Sequence, residues 1–180
     1  MTIMSYNDDF NWNQKTWDPA TPMALDVLAL QYLYGKNNEN ASSGDTNYTL
    51  TKDEMYITIW DPSGQDVIDQ SDASEGWAIE LPEFQISTVI DTKAGLAAPT
   101  EEISRDSPHN LYWLLGDIEN VLGSDFTDLV LGNSLNNSLE GNGGDDKLSG
   151  FSGNDIIKGG TGDDTIIGGK GDDTLTGGAG

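Results

Sequence analysis

The chain has 180 residues, with 8 lysines and arginines against 31 aspartates and glutamates, which gives a formal charge of −23. A field of that sign repels nucleic acids and acidic membrane surfaces, so we expect neither as a partner. The sequence contains no cysteine, which excludes disulfides and thiolate metal sites. It shows no basic-then-apolar signal segment and no long apolar run, so we expect no membrane insertion.

The first 21 residues are polar and aromatic without a steady apolar period, which is typical of an irregular loop. One amphipathic helix is then predicted for residues 22–34. Thr21 supplies an N-cap hydroxyl and Pro22 has the preset φ of a first helical position. Apolar residues follow at helical spacing until Gly35, which favours the end of the helix there.

Beyond a polar loop, short runs of aromatic and β-branched residues predict four strands. They are Tyr48–Leu50, Met55–Trp60, Trp77–Leu81 and Gln85–Val89. The composition then changes near Gly116, because 17 of the 22 glycines lie between Gly116 and Gly180. We therefore divide the chain into residues 1–21, residues 22–116 and a glycine-rich part of residues 117–180.

Consecutive nine-residue repeats fill residues 123–176 without an insertion, and a partial repeat, GGAG, follows them. The repeats are GSDFTDLVL, GNSLNNSLE, GNGGDDKLS, GFSGNDIIK, GGTGDDTII and GGKGDDTLT. They follow the pattern GGxGxDxUx, in which U is a large aliphatic residue, and that pattern is typical of a calcium-binding parallel β-solenoid. Glycines allow positive φ in the turns, so that carbonyl oxygens can surround a hard cation. The alternative, a flexible linker, would not need an aliphatic residue at every ninth position.

Candidate calcium ligands fall at three positions of the repeat. The sixth position supplies a side-chain oxygen, from Asp128, Asn137, Asp146, Asp155, Asp164 and Asp173. The first and third positions supply main-chain oxygens, from Gly141, Gly143, Gly150, Ser152, Gly159, Thr161, Gly168 and Lys170. Since most aspartates in proteins are solvated charges, that simpler interpretation stays open for each carboxylate.

Five segments, in this order, resemble the serralysin family of secreted bacterial zinc endopeptidases, which belongs to the metzincin clan. The segments are IMSY from Ile3, PMALDVLALQYLYG from Pro22, SGDTNY from Ser43, TIWDPSGQDVID from Thr58 and DIENVLGSDFTD from Asp117. The resemblance covers nearly all of the chain. It implies a mostly β fold, in which one α-helix and a small irregular β region precede a parallel β-roll of RTX, or hemolysin-type, calcium-binding repeats.

The resemblance also implies that residues 1–21 are a remnant of a catalytic domain. Met4 would be the methionine of the Met-turn beneath the zinc, and Tyr6 the tyrosine that ligates zinc or stabilises the oxyanion. In that family the zinc ligands and the general base come from HExxHxxGxxH. This chain lacks that motif and has one histidine, His109. We therefore predict no catalytic residues and no proteolysis by this chain alone, with zinc bound only in a full-length relative.

Further calcium ligands upstream of the repeats are implied by the resemblance. One ion would lie among Ser42, Gly44, Thr46, Asp61, Ser63, Gly64 and Asp66. Asp117 and Glu119 would begin the first site of the roll. Two repeats form one turn in that family, so that ions lie between each loop and the loop two repeats further on. The six repeats would offer four such sites and the partial repeat a fifth, with the site of Asn137 the weakest because it lacks one charge.

The sequence thus predicts a calcium-binding C-terminal module of a secreted serralysin-like metalloprotease, which folds on binding calcium and supports secretion and stability. The expected location is extracellular, and the expected partners are calcium ions, an upstream catalytic domain and a type I secretion system. Two alternatives stay open. The chain could be an active zinc metalloendopeptidase, or an RTX adhesin or surface-layer repeat module.

Overall fold

The computed structural model describes residues 44–52, 56–61, 63–83, 95–101 and 110–180. These ranges contain β-strands and no helix. The predicted helix at residues 22–34 and the predicted strand Gln85–Val89 lie outside the described residues. Within the described ranges, no helix is long and apolar enough to cross a membrane.

The strands before the repeats vary in length, whereas those from β9 onward have 6 residues each. They are β1 (Asn47–Tyr48), β2 (Tyr56–Asp61), β3 (Val67–Asp69), β4 (Trp77–Glu80), β5 (Gly95–Pro99), β6 (Leu111–Gly116), β7 (Asn120–Leu122), β8 (Leu129–Leu131), β9 (Ser138–Gly143), β10 (Lys147–Ser152), β11 (Ile156–Thr161), β12 (Thr165–Lys170) and β13 (Thr174–Ala179). Strands β1, β2 and β4 overlap three of the predicted strands.

The strands form two sheets. The first has the order β1-β3-β7-β9-β11-β13, and all of its neighbouring strands are parallel. The second has the order β12-β10-β8-β4-β5-β6-β2, in which only the two pairs made by β5 are antiparallel. Within the repeats, successive strands alternate between the sheets and each pairs with the strand two repeats further on, as Leu148 does with Ile166. This arrangement is a parallel β-roll with two repeats per turn.

Between the sheets lies a column of aliphatic side chains from the eighth position of the repeats. Those that are fully buried are Val130, Leu139, Leu148 and Ile157. Burial decreases further along the roll, and Leu175 in β13 is 49% exposed, because β13 has a neighbouring strand on one side only. Each turn is therefore held by the turn before it and the turn after it.

The same column continues upstream of the repeats through the buried side chains of Ile118, Ile79 and Ile68. Both sheets also pass from the upstream strands into the repeats, because β7 pairs with β9 and β4 pairs with β8. The upstream strands thus place their turns directly against the first turns of the roll. The division of the chain at residue 117 stays a prediction.

Candidate calcium sites

The turns of repeats three to six share one backbone conformation. Their second residues have positive φ, including two that are not glycine, Asn142 and Phe151, with φ of 70° and 69°. Their fourth residues are glycines that also have positive φ. A Cβ added to Gly162 would lie 2.1 Å from the carbonyl oxygen of Gly144 in the preceding turn on that side. The fourth position therefore requires glycine for both its φ and its close approach to the next turn.

Beside the first glycine of repeats three to five, a carboxylate oxygen and a carbonyl oxygen both approach closely, and we name this arrangement a cradle after that glycine. A Cβ added to Gly141 would lie 2.1 Å from Oδ2 of Asp146 and 2.6 Å from the carbonyl oxygen of Gly159. The cradles of Gly150 and Gly159 have the same composition, with one carboxylate oxygen and one carbonyl oxygen from the turn two repeats later. Calcium binds oxygen at about 2.3–2.6 Å, so the cradle oxygens lie close enough together for one ion.

The two carboxylate oxygens of each cradle aspartate have different environments. The Oδ1 atoms of Asp146 and Asp155 accept the N–H groups of Asp128 and Asn137, both at 2.8 Å, which ties neighbouring turns together. Their Oδ2 atoms are buried and have no hydrogen-bond partner. A buried carboxylate oxygen without a partner is costly, and a cation in the cradle would remove that cost.

Burial is also the main influence on the protonation of these carboxylates. It raises the pKa of Asp146 to about 7, although the N–H of Asp128 opposes the rise, and the charges of Asp128 and Asp164 add to it. Burial raises the pKa of Asp155 in the same way. Asp164 and Asp173 are less buried and repeat the hydrogen-bond pattern, since their Oδ1 atoms accept the N–H groups of Asp146 and Asp155 at 3.0 Å.

The predicted main-chain ligands at the third position are the last residues of strands β9 to β12, directly before the bends of the turns. Gly143 pairs with Thr161, and Ser152 pairs with Lys170, and in both pairs the two turns are stacked on the same side of the roll. The structure thus brings first, third and sixth positions of stacked turns to one edge of the roll. Gly168 is an exception. The three atoms nearest to a Cβ added there all belong to Asp173, and none is a carbonyl oxygen of another turn.

A similar cradle lies upstream of the repeats, around Asp66. A Cβ added to Gly64 would lie 2.8 Å from Oδ1 of Asp66 and 2.8 Å from the carbonyl oxygen of Gly44. The N–H of Thr46 donates to Oδ1 of Asp66 at 2.8 Å, and Oδ2 of Asp66 is buried without a hydrogen-bond partner. Burial raises the pKa of Asp66 to about 6. Four of the predicted upstream ligands are therefore together, whereas Ser42 lies outside the described residues.

Asp61 and Ser63, from the same predicted set, have different surroundings. Asp61 is buried, and its Oδ2 accepts the hydroxyl hydrogen of Tyr48 at 2.6 Å. Its Oδ1 accepts the N–H of Ser63 at 3.3 Å, while Ser63 itself is exposed. Sequence reasoning did not identify Tyr48 as a partner of Asp61, because an isolated tyrosine in a short strand gives no signal of that contact.

Glu119 connects the upstream cradle to the repeats. Its Oε2 accepts the N–H of Asp66 at 3.0 Å, and burial, with the charges of Asp66 and Asp117, raises its pKa to about 7. Asp117 is half-buried, and its N–H donates to the carbonyl oxygen of Asp61. The predicted ligands at these two positions therefore lie beside the Asp66 turn.

The sixth-position side chains of the first two repeats are already hydrogen-bonded within the protein. Oδ2 of Asp128 accepts the N–H of Ser124 at 2.7 Å, and its Oδ1 accepts the N–H of Trp77. Oδ1 of Asn137 accepts the N–H of Asn133 at 3.0 Å. The sequence does carry a signal for this difference, because these two repeats lack the glycine that repeats three to six have at the fourth position.

Within the described ranges, no group of three or more histidine, cysteine, aspartate or glutamate side chains could hold a metal. Each cradle instead combines one carboxylate with main-chain oxygens, which is the donor set of calcium rather than zinc. Met4, Tyr6 and His109 lie outside the described residues.

Known proteins share the repeats and part of the sequence around them. Residues 122–150 and 149–180 match a family model described as RTX calcium-binding nonapeptide repeat (4 copies). The metallopeptidase AprA of Pseudomonas marginalis is 30% identical over 49% of this chain and 22% of its own length. The serralysin of Proteus mirabilis is 32% identical over 49% of this chain and 21% of its own, and that of Photorhabdus luminescens is 32% identical over 53% and 23%.

This chain spans less than a quarter of the length of these relatives. The residues that the family model matches include all the repeats whose turns form the cradles of Gly141, Gly150 and Gly159. The chain therefore carries RTX calcium-binding nonapeptide repeats folded as a parallel β-roll, in a sequence that is similar to part of the serralysins.

Proposed function

We propose that this chain is the calcium-dependent C-terminal module of a secreted serralysin-like metalloprotease, and that its turns fold as they bind calcium. The observation that carries the proposal is the pair of buried Oδ2 atoms of Asp146 and Asp155, which have no protein partner and lie beside carbonyl oxygens of the next turn. The ligand assignments at the predicted positions are part of this proposal.

Coupling of folding to calcium is supported by the composition of the repeats. Each repeat offers one aliphatic side chain to the core, while its nine residues, rich in glycine, all lose conformational freedom on folding. The net charge of −23 opposes compaction as well. Calcium would neutralise the cradle carboxylates and link neighbouring turns, so its binding free energy becomes folding free energy.

The wider setting follows from the similarity to serralysins. We infer that residues 1–21 belong to a catalytic domain whose zinc ligands lie upstream, and that zinc is absent from the module itself. Low calcium inside a cell would keep the repeats unfolded for export through a type I secretion system, and higher calcium outside would fold them. The module would then stabilise the protease in the extracellular medium.

Calcium binding to the full chain can be measured by isothermal titration calorimetry, with Asp146→Asn as the variant that weakens a cradle. The expected result is binding of several ions to the wild type and fewer to the variant, because the amide removes a negative charge from the Gly141 cradle. A matched control is Asp145→Asn, which removes an equal charge from an exposed neighbour. The proposal is wrong if the wild type binds no calcium, or if the two variants bind equally reduced numbers of calcium ions.

A further inference from the structure

The turns of the first two repeats differ from the four turns that follow. Their second and fourth residues are Ser124 and Phe126 in the first repeat, and Asn133 and Leu135 in the second. None of these four residues has positive φ, whereas the second and fourth residues of repeats three to six all do. The first two turns therefore cannot direct their main-chain groups as the calcium-type turns do.

The two turns are instead closed by the same pair of side-chain hydrogen bonds. In the first, Oγ of Ser124 accepts the N–H of Phe126 at 3.1 Å, and the N–H of Ser124 donates to Asp128. In the second, Oδ1 of Asn133 accepts the N–H of Leu135 at 2.9 Å, and the N–H of Asn133 donates to Asn137. A side-chain oxygen that accepts an N–H two residues later closes a turn without any ion.

Amide groups also link these turns to the chain upstream. Nδ2 of Asn137 donates to the carbonyl oxygen of Glu119 at 2.9 Å. Nδ2 of Asn133 donates to the carbonyl oxygens of Ile118 and Pro82, at 2.9 and 3.0 Å. Both asparagines are buried. The side-chain N–H groups of these asparagines thus donate to carbonyl oxygens between stacked turns. In the calcium-binding turns a cation would contact such oxygens instead. The amide groups carry no charge.

The position-six oxygens confirm the contrast between the two kinds of turn. The Oδ2 atoms of Asp146 and Asp155 are buried without a partner, whereas Oδ2 of Asp128 accepts the N–H and the hydroxyl hydrogen of Ser124. The first glycines of repeats one and two, Gly123 and Gly132, also have a position-six oxygen and a carbonyl oxygen beside them. Donors that already point at Asp128 and Asn137 oppose a cation in these two cradles. In the cradles of Gly141 and Gly150 no such donor reaches the free carboxylate oxygen, and the Gly159 cradle has the same composition.

We propose that repeats one and two close without calcium and form a metal-independent base, on which the calcium-binding turns from Gly141 onward stack. The residues at the second, fourth and sixth positions decide whether a turn takes an ion. This inference rests on the proposed calcium binding and refines it, because calcium would enter three of the five cradles that the repeat count predicts.

The first test uses the unaltered chain and hydrogen exchange measured by mass spectrometry, in calcium-depleted and calcium-containing buffer. In depleted buffer, peptides from residues 120–139 should exchange on the order of 100-fold more slowly than peptides from residues 141–176. Addition of calcium should slow the exchange of the peptides from residues 141–176 and should change the exchange of those from residues 120–139 only slightly. The inference is overturned if both sets are unprotected in depleted buffer and gain protection together on adding calcium.

The second test converts the second repeat to the calcium type with Asn133→Gly, Leu135→Gly and Asn137→Asp, which gives GGSGND in place of GNSLNN. Native mass spectrometry in calcium should then show one more bound ion per chain than the wild type, since a free carboxylate oxygen and a glycine turn are restored. The matched control is Asn136→Asp, which adds the same charge in the same turn at an exposed position and should add no ion.

The outcomes separate the inference from the proposed function. A wild type that binds no calcium contradicts the proposed function, although residues 120–139 would still be protected in depleted buffer. A wild type that binds calcium, with a converted variant that gains no ion, contradicts the inference alone. If the converted variant is unfolded without calcium and folds with calcium, the inference is supported. In that case the substitutions in repeat two have made the folding of repeats one and two depend on calcium.

Discussion

At the scale of single residues, the proposed calcium binding depends on the two oxygens of the position-six carboxylates in repeats three to six. One oxygen holds the adjacent turn through a main-chain N–H, as Oδ1 of Asp155 does for Asn137, and the other faces the cradle. Loss of the position-six side chain should therefore affect calcium binding in repeats three to six, and the calcium-free structure in repeats one and two.

Asp164→Ala and Asn137→Ala should consequently have different effects. Asp164 contributes Oδ2 to the Gly159 cradle, so its loss should raise the calcium midpoint of folding about 3-fold or more. Asn137 links buried main-chain groups, so its loss should cost about 1–3 kcal/mol of stability in calcium-depleted buffer. Calcium titrations and urea unfolding of both variants compare the two effects. Equal shifts of the calcium midpoint would be inconsistent with these roles.

Protonation gives a second prediction at this scale. Burial raises the pKa of Asp146 and of Glu119 to about 7, above their ordinary values near 4 in an unfolded chain. In calcium-depleted buffer, the folded part that contains Glu119 thus binds more protons than the unfolded chain between about pH 4 and 7, and it loses stability as the pH rises through about 7. Protonation of Asp146 favours the folding of its turn over the same pH range. Without calcium, stability against urea should therefore be greater at about pH 5 than at about pH 8.

Protons and calcium compete for the same carboxylates, so the calcium midpoint should be higher at about pH 5 than at about pH 8. Circular dichroism measures the stability against urea in calcium-depleted buffer. During a calcium titration it measures the calcium midpoint. A calcium-free chain that loses stability towards pH 5, or a calcium midpoint that is independent of pH, would contradict the buried positions of these carboxylates.

At the scale of the turn, glycine is required where positive φ and close stacking coincide. Gly162 has φ of 126°, and a Cβ there would lie 2.1 Å from the carbonyl oxygen of Gly144. Gly162→Ala should therefore separate the two turns even at saturating calcium. The free energy of unfolding should decrease by about 1–3 kcal/mol or more. Gly177→Ala is the control, because a Cβ at Gly177 meets nothing within 4 Å. Thermal unfolding in calcium should show a clear decrease of Tm for Gly162→Ala and none for Gly177→Ala.

Sequence and structure agree best where the repeat imposes a strict spacing. The aliphatic residue at every ninth position predicts the buried column, and two repeats per turn predict the pairing of Leu148 with Ile166. Strand β5 could not be predicted in this way, because Gly95, Ala97 and Pro99 are weak strand formers. It is a strand because β4 and β6 pair with it on both sides.

The partners of Asp128 and Asn137 lie beyond sequence reasoning for a different reason. The N–H that donates to Oδ1 of Asp128 comes from Trp77, which is 51 residues away, so that contact depends on how the sheets continue upstream. Phe126 and Leu135, by contrast, are visible in the sequence as departures from glycine at the fourth position. Their consequence is clear only when the hydrogen bonds of the turn are known.

At the scale of the whole molecule, the described part is a scaffold of stacked turns, in which no three histidine, cysteine, aspartate or glutamate side chains are grouped to hold a metal. The isolated chain should show no zinc-dependent proteolysis, because one histidine cannot form the site that activates water. Incubation with zinc and an unfolded protein substrate, with a no-protein control, measures this directly. Cleavage that a chelator abolishes would show that the chain is itself a protease.

The most direct measurement of calcium-coupled folding is far-UV circular dichroism of the full chain during a calcium titration, repeated with magnesium. We predict a steep gain of β signal with calcium, because neighbouring turns share ions, at a midpoint between about 0.1 and 1 mM, as for weak extracellular sites. Magnesium at the same concentrations should have little effect, since it demands a tight octahedron and loses water reluctantly. A spectrum that is fully β-rich in chelator and unchanged by calcium would contradict the coupling of folding to calcium.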